Sequence, residues 1–266
     1  MKATIILALV GLLAISANGA TLNSAQSLNP YDYLNFGDIA KKYVTAFQRI
    51  MPCGYAAWDL PALAPYTMDH YAYNLTGDDY SLVGSFDNLY VDGLNKWTIL
   101  DFSYNATTQV FNFDVVHNYI QLLSEYSINA TAYIAGFPLT YAGEGVLNWK
   151  YTDLRTIGSY TFQNNNNNNQ NGLEIVDFDM QVLLGDVQTS NWNNFWDNQI
   201  NNFVNKFQRE YVLLYVQQSQ SYFVDLYKNY VLTALNRQIA DLSMTELLEA
   251  MVGLTMELDE VQCPQN

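Results

Sequence analysis

The sequence predicts an α+β protein: a highly curved antiparallel sheet wrapped around a long C-terminal helix, with an internal apolar tunnel. Three patterns point there. Residues 34–51 repeat apolar side chains at helical spacing. From about 66 to 187, apolar and polar side chains alternate at period two between turn signals. From Asp186 to Val252 there is neither Gly nor Pro, and apolar residues recur in steps of three and four. A sheet with one apolar face and a helix with one apolar stripe each need the other as cover. Wrapping satisfies both, and an incompletely filled wrap leaves a tunnel.

The elements follow in order. Residues 1–20, MKATIILALVGLLAISANGA, place Lys2 before an apolar run from Ile5 to Ile15 and then small residues. That is the layout of a secretory signal peptide, cleaved after Gly19 or Ala20. The run is too short for the roughly 20 residues that cross a bilayer. The remainder, 21–266, reads as one domain in an extracellular protein. In the first helix Leu34, Ile39, Tyr43, Phe47 and Ile50 form the stripe, Lys41, Lys42 and Arg49 lie off it, and Pro52 and Gly54 end it.

The strand region shows Leu100, Phe102 and Tyr104, then Phe111, Phe113 and Val115, alternating with polar neighbours. The same holds for Ile128 to Ile134, Leu147 to Tyr151 and Val176 to Leu184. Thr76-Gly77-Asp78, Asp92-Gly93, Gly143-Glu144-Gly145 and Asn171-Gly172 mark turns. The tract QNNNNNNQN at 163–171 reads as a flexible hairpin loop. The last stripe runs Trp192, Phe195, Trp196, Ile200, Phe203, Phe207, Tyr211, Leu214. It blurs at 217–221 (QQSQS) and resumes at Tyr222, so two helices or one bent helix are expected. Ser243 and Glu246 have capping-box spacing for a final short helix.

Cys53 and Cys263 are the only cysteines, and secretion makes one disulfide the first expectation. Two unpaired thiols, or pairing between chains, are the alternatives. Asn74, Asn105 and Asn129 begin sequons for N-glycosylation.

Lys plus Arg number 11 against 26 Asp plus Glu, a net charge of −15. Such a surface repels nucleic-acid phosphates and anionic membranes. No later segment is apolar enough to span, so no stable membrane anchoring is expected. His70 and His117 lack zinc-ligand spacing, and no G-x-S-x-G, P-loop, G-x-G-x-x-G or EF-hand pattern occurs. Both histidines are read as ordinary hydrogen-bonded side chains. The acid pairs Asp78-Asp79 and Asp177-x-Asp179 fall in a turn and on a polar strand face, so solvated surface is the stronger reading. No metal, cofactor or catalytic residue is expected, which favours binding over catalysis.

Residues 52–66 bring a family likeness. Pro52-Cys53-Gly54-Tyr55 followed by Asp59-Leu60-Pro61-Ala62-Leu63-Ala64-Pro65-Tyr66 resembles a G-I-P-P-L-x-P segment of the insect juvenile-hormone-binding and takeout family. Asn88 to Leu94 (NLYVDGL) is similar to its N-x-x-V-x-G-L strand, and Leu184-Gly185-Asp186 leading to Asn193, Asn194 and Phe195 resembles the approach to its long helix. The resemblance spans the mature chain. It implies the tubular lipid-binding fold and a secreted carrier, in haemolymph or another extracellular fluid, without catalytic residues. One departure stands out: the family's two nearby N-terminal cysteines are missing, which marks a divergent branch.

The cargo implied is a juvenile-hormone-like terpenoid, a carotenoid or a fatty acid. About fifteen buried carbons contribute on the order of 10 kcal/mol gross. Association costs about 4–15 kcal/mol, so a preformed pocket with a few polar contacts is required. The residues expected to line the tunnel are Phe47, Leu63, Tyr66, Leu89, Val91, Phe111, Phe113, Trp149, Phe195, Trp196, Phe203 and Phe207. Ordinary core packing is the competing reading for each. A protein receptor is left open. The runner-up function is a secreted structural or interaction protein with a filled tunnel. A hydrolase built around His70 or His117 comes third.

Overall fold

A computed structural model describes residues 36–77, 80–134, 137–165, 172–190 and 198–263. The expected leader, Trp192, Phe195, Trp196 and residues 166–171 of the Asn tract lie outside the described residues.

Helix α1 (Phe36–Ile50) buries Phe36, Ala40, Tyr43, Val44, Phe47 and Ile50, close to the expected stripe. It stops where Pro52 cannot continue it. Gly54, at φ 67°, turns the chain and donates its N–H to Ile50 O at 2.9 Å. Six strands follow: β1 (Tyr66–Gly77), β2 (Tyr80–Asp92), β3 (Trp97–Asn105), β4 (Val110–Ile134), β5 (Phe137–Asn165) and β6 (Gly172–Thr189). They form one antiparallel sheet in the order β1-β2-β4-β5-β6, with β3 also paired to β4. β2 takes one half of β4 (Asp92 opposite Gln121) and β3 the other (Trp97 opposite His117). β4 and β5 have 25 and 29 residues, so this hairpin is roughly 80–95 Å long.

A line of irregular residues creases the sheet. Asn118 donates its N–H to Lys96 O, in the β2–β3 connection, at 2.9 Å. Asn118 falls between the pairs His117–Leu154 and Tyr119–Thr152, opposite Asp153, which is left-handed at φ 53°. Asp153 in turn lies opposite Gly185. Across this line the buried parity changes. On β4, Phe111 and His117 are buried on one side of it, and Ile120, Ser124 and Tyr126 on the other. On β6, Phe178 precedes the line and the fully buried Val187 follows it. One left-handed residue resets the alternation while the ladder stays in register.

The helical tail comprises α2 (Asn198–Gln218), α3 (Gln220–Tyr227), a π-helical turn (Lys228–Leu232), α4 (Thr233–Ile239) and α5 (Met244–Asp259). The break falls at Ser219, inside the blurred QQSQS segment. Ser243 and Glu246 make the expected capping box. The region without Gly or Pro is not wholly helical, because β6 continues to Thr189.

The tail lies antiparallel along β6. Thr189 Oγ1 donates to Asn205 O at 3.2 Å, and Arg209 pairs with Asp186 at 2.6 Å. Gln220 accepts from Val182 N at 2.8 Å and donates to Val182 O at 2.9 Å. Asn236 does the same at Ile175, at 2.8 and 3.0 Å. From Ile175 to Val182 is about 23 Å of strand, and from Gln220 to Asn236 about 24 Å of helix. The two amides therefore meet the strand in step. Each imitates a strand partner, which blocks pairing with another chain.

α1 is held by β3 and by α5. Gln48 Nε2 donates to Asn95 O and Trp97 O at 2.8 and 2.9 Å. Gly37 sits against the Phe102 and Ser103 backbone, so α1 runs along β3. α5 packs on its other side, where Arg49 donates to Leu258 O and pairs with Asp259, and Tyr55 donates to Glu257 at 2.5 Å. Cys53 and Cys263 form a disulfide there.

Candidate functional site

The crease divides the inner face into two halves. In the half that holds β3, alternating residues of three strands bring rings together. Phe178 stacks on Tyr227 with centroids 4.4 Å apart, and Tyr160 lies 5.2 Å from both Phe178 and Phe113. The Tyr160 and Tyr227 hydroxyls hydrogen-bond to each other, which satisfies two groups that would otherwise be costly to bury. Burial pushes Tyr227 up to about 12 and Tyr160 well above the ordinary phenol range. A second aromatic group surrounds Phe36: Tyr104 at 5.0 Å, Phe111 at 5.2 Å and Phe162 at 5.9 Å. At the rim of this half a cavity of about 200 Å³ is lined by Tyr104, Ala106, Gln109, Phe162, Asn164, Leu173 and Met244.

In the other half, Tyr66, Met68, Leu89, Val91, Leu122 and Trp149 share the apolar side, and Tyr66–Val91 and Leu122–Trp149 are direct cross-strand pairs. The opposite face carries polar side chains together with exposed Val83, Tyr90 and Val146. Asn74, Val83 and Asn129 are in register across β1, β2 and β4, so both sequons project from the same side. Asn74, Asn105 and Asn129 are all exposed.

Of the expected lining residues, Phe47, Leu89, Val91 and Phe111 lie in one buried core, and Leu63, Tyr66 and Phe113 pack against it. Phe47 is buried in α1 and Leu63 packs beside the same core. Phe111 and Phe113 lie on the β3 side of the crease; Tyr66, Leu89, Val91 and Trp149 lie on the other. Phe203 and Phe207 project from α2 with 70% and 58% exposure. There Phe207, Tyr211 and Tyr215 form a stacked row, with centroids 6.1 and 6.2 Å apart.

The sequence reading overlooked the polar atoms at the crease. Trp97 and His117 are direct cross-strand partners with ring centroids 5.6 Å apart. Trp97 is 5% and His117 7% exposed. Neither the indole N–H nor either imidazole nitrogen has a hydrogen-bond partner among the described residues. The expectation that His117 is an ordinary hydrogen-bonded side chain is therefore wrong. Burial holds its pKa down at about 4, so the ring is neutral near pH 7. The hydroxyl of Tyr43, on the buried side of α1, is likewise unpartnered. A lone His in an alternating strand gives no sign of this, because its partners come from other elements.

His70 does behave as expected. Its Nδ1 lies 2.5 Å from Asp87, to which Ser85 also donates at 2.8 Å. These contacts hold the Asp87 carboxyl below its usual range. A hydrolytic triad needs the histidine between serine and acid, whereas here the acid is in the middle and Ser85 does not reach His70. Among the described residues no cluster of three or more His, Cys, Asp or Glu could hold a metal ion. No helix among them is long and apolar enough to cross a membrane.

A sequence profile of the haemolymph juvenile hormone binding protein (JHBP) family matches residues 6–249. The chain belongs to the JHBP family. Among solved structures, this JHBP-family chain is similar to Takeout 1 of Epiphyas postvittana, at 10% identity and a TM-score of 0.37. That match covers 82% of this chain and 90% of the other. It is also similar to a lipopolysaccharide binding protein, at 8% identity and a TM-score of 0.30, covering 85% of this chain and 39% of the other. At these scores neither likeness bears on the site. A search of curated proteins finds no match.

Proposed function

We propose that this JHBP-family protein is an extracellular carrier of a small hydrophobic ligand. Family membership over residues 6–249 carries the reading. A sheet with an apolar inner side and a sequon-bearing outer side supports it. The ligand is an apolar chain of terpenoid, fatty-acid or carotenoid size, held on the inner face between the sheet and its helices. The leader at 1–20 would direct secretion, and Asn74, Asn105 and Asn129 would accept glycans. No catalytic step is assigned.

The test is mild organic extraction of natively purified, secreted protein, followed by absorbance and mass spectrometry. A stoichiometric terpenoid, fatty acid or pigment is the expected result. A clean extract, with no uptake of a fluorescent lipid probe, would refute the carrier reading. It would favour the second one, a structural or interaction protein filled by its own side chains. The packed rings of Phe113, Tyr160, Phe178 and Tyr227 are the observation on that side.

A further inference from the structure

We propose that the outward side of α2 is a self-association surface, on which a second copy of this chain packs its own α2. The inference stands apart from the carrier reading. α2 carries apolar side chains on two sides. Val204, Val212 and Val216 are half-buried on the side from which Asn205 and Arg209 reach β6. Phe207 and Tyr211 stand two residues from Asn205 or Arg209, just over half a turn round the helix, and so point away from the sheet. Phe203, Phe207, Tyr211, Leu214 and Tyr215 on α2 and Tyr222 on α3 are all exposed, by 42 to 70%. A helix that is apolar on two sides calls for two partners, and β6 is one of them. The β6 edge is closed to another chain by Gln220 and Asn236, so the helix face, not the strand edge, is where a second chain can meet this side of the molecule.

Area, charge and shape choose the occupant. At about 200 Å² for a fully exposed large side chain, these six leave roughly 650 Å² uncovered. Two copies face to face would bury about 1,300 Å², within the range of specific interfaces, and a patch of this size is more than a lone soluble chain usually shows. From Asn198 to Val224 the charged residues are Lys206, Arg209 and Glu210, in a chain of −15. Arg209 is paired with Asp186 and Glu210. Two such molecules repel each other wherever acidic surfaces meet, and least where this nearly neutral face meets itself; charges more than about 8 Å apart are largely screened at physiological salt. The same face has no basic cluster to hold an anionic lipid surface. Phe207, Tyr211 and Tyr215 stack at 6.1 and 6.2 Å into a ridge of side chains four residues apart. Such a ridge on one helix fits the groove beside the same ridge on another, and a two-fold axis near Tyr211 makes both fits at once.

The test is the mass of the natively purified, secreted chain by analytical ultracentrifugation. For an interface of this size without buried ion pairs, a dissociation constant on the order of 10 µM is expected. The mass should therefore rise from one chain at about 1 µM toward two at about 200 µM. In a two-fold contact each substitution acts twice, so Phe207→Ser and Tyr211→Ser should each weaken association about a hundredfold. Val146→Ser, at an exposed side chain of the sheet, should leave it unchanged. At about 1 µM, below the association range, Phe207→Ser and Tyr211→Ser should unfold at the wild-type urea concentration. Should either fail to fold, hydroxyl-radical footprinting of the wild type decides. Phe207, Tyr211 and Tyr215 should become protected at the higher concentration, and the exposed Tyr80 and Tyr133 should not. A single-chain mass at about 200 µM, a dimer that survives both substitutions, or protection at Tyr80 and Tyr133 instead would overturn the proposal. So would flotation of single chains with phosphatidylcholine vesicles, which would assign the row to a lipid surface.

Discussion

Asn236→Leu should unzip one point of the β6 edge and nothing else. The side chain keeps its size but loses both hydrogen bonds to Ile175, at 2.8 and 3.0 Å. That strands one N–H and one C=O in a half-buried position, at about 1–3 kcal/mol each when fully unsatisfied. Partial access to water lowers the sum, so a loss of about 2–4 kcal/mol is expected, or roughly 4–16 °C in Tm for a domain of this size. Urea denaturation gives the total, and amide hydrogen exchange gives the place. The Ile175 amide should exchange faster in Asn236→Leu while Val182 stays protected, and Gln220→Leu should show the reverse. Sites this far apart should be additive to within about half a kcal/mol. If the Ile175 amide stays protected in Asn236→Leu, or both amides open together in either variant, the side-chain amides are not what seals the strand.

Replacing Cys53 and Cys263 with serine frees a loop of 210 residues, and chain entropy sets the expected loss at up to about 5 kcal/mol by chemical denaturation. Phe178→Ala, at a ring 2% exposed and stacked on Tyr227, should cost about 3–5 kcal/mol in the same assay. Phe207→Ser, on a side chain 58% exposed, should change stability by less than about 0.5 kcal/mol. His117 gives a pH dependence with a defined sign. Above its ordinary value of 6.5 the ring is neutral in both states and has no effect. As pH falls from 6.5 to about 4, the unfolded chain takes up a proton that the buried ring does not, so stability drops across that window, by about 3 kcal/mol in all. His117→Phe should flatten that part of the stability–pH profile.

Local rules made much of the fold readable. The α1 stripe, the Ser243–Glu246 box and the break near Ser219 each depend on residues within a few positions of one another. Period-two alternation located the strands but fragmented β4 and β5: the crease at Asn118 and Asp153 inverts the parity partway along, and Gly143-Glu144-Gly145, read as a turn, lies inside β5. Nothing in a linear pattern distinguishes such an inversion from a turn. The candidate site was harder to read for the same reason. Phe111 and Phe113 were visible as members of an apolar face, but which rings they meet depends on Tyr160, Phe178 and Tyr227 arriving from three other elements. Gln220 lay in the blurred QQSQS segment, and nothing in the sequence singled out Asn236. Their role appears only when the helix is laid beside β6. The unpartnered nitrogen atoms of Trp97 and His117 are a property of the packed interior, so no spacing rule reports them.

The docking of α1 on α5 also fixes an order of events during synthesis. The last residue of α1 and the first of α5 are about 200 positions apart. At roughly 5–20 residues per second, α1 emerges some 10–40 s before the helix that covers it. Through that interval β3 can already pack on α1, but the part that meets α5, with Ile50 and Met51 at its end, lacks that cover. Closure of Cys53 with Cys263 must likewise wait until Cys263 has been made. A truncation that removes only α5 would leave the first helix without part of its cover rather than merely shorten the protein.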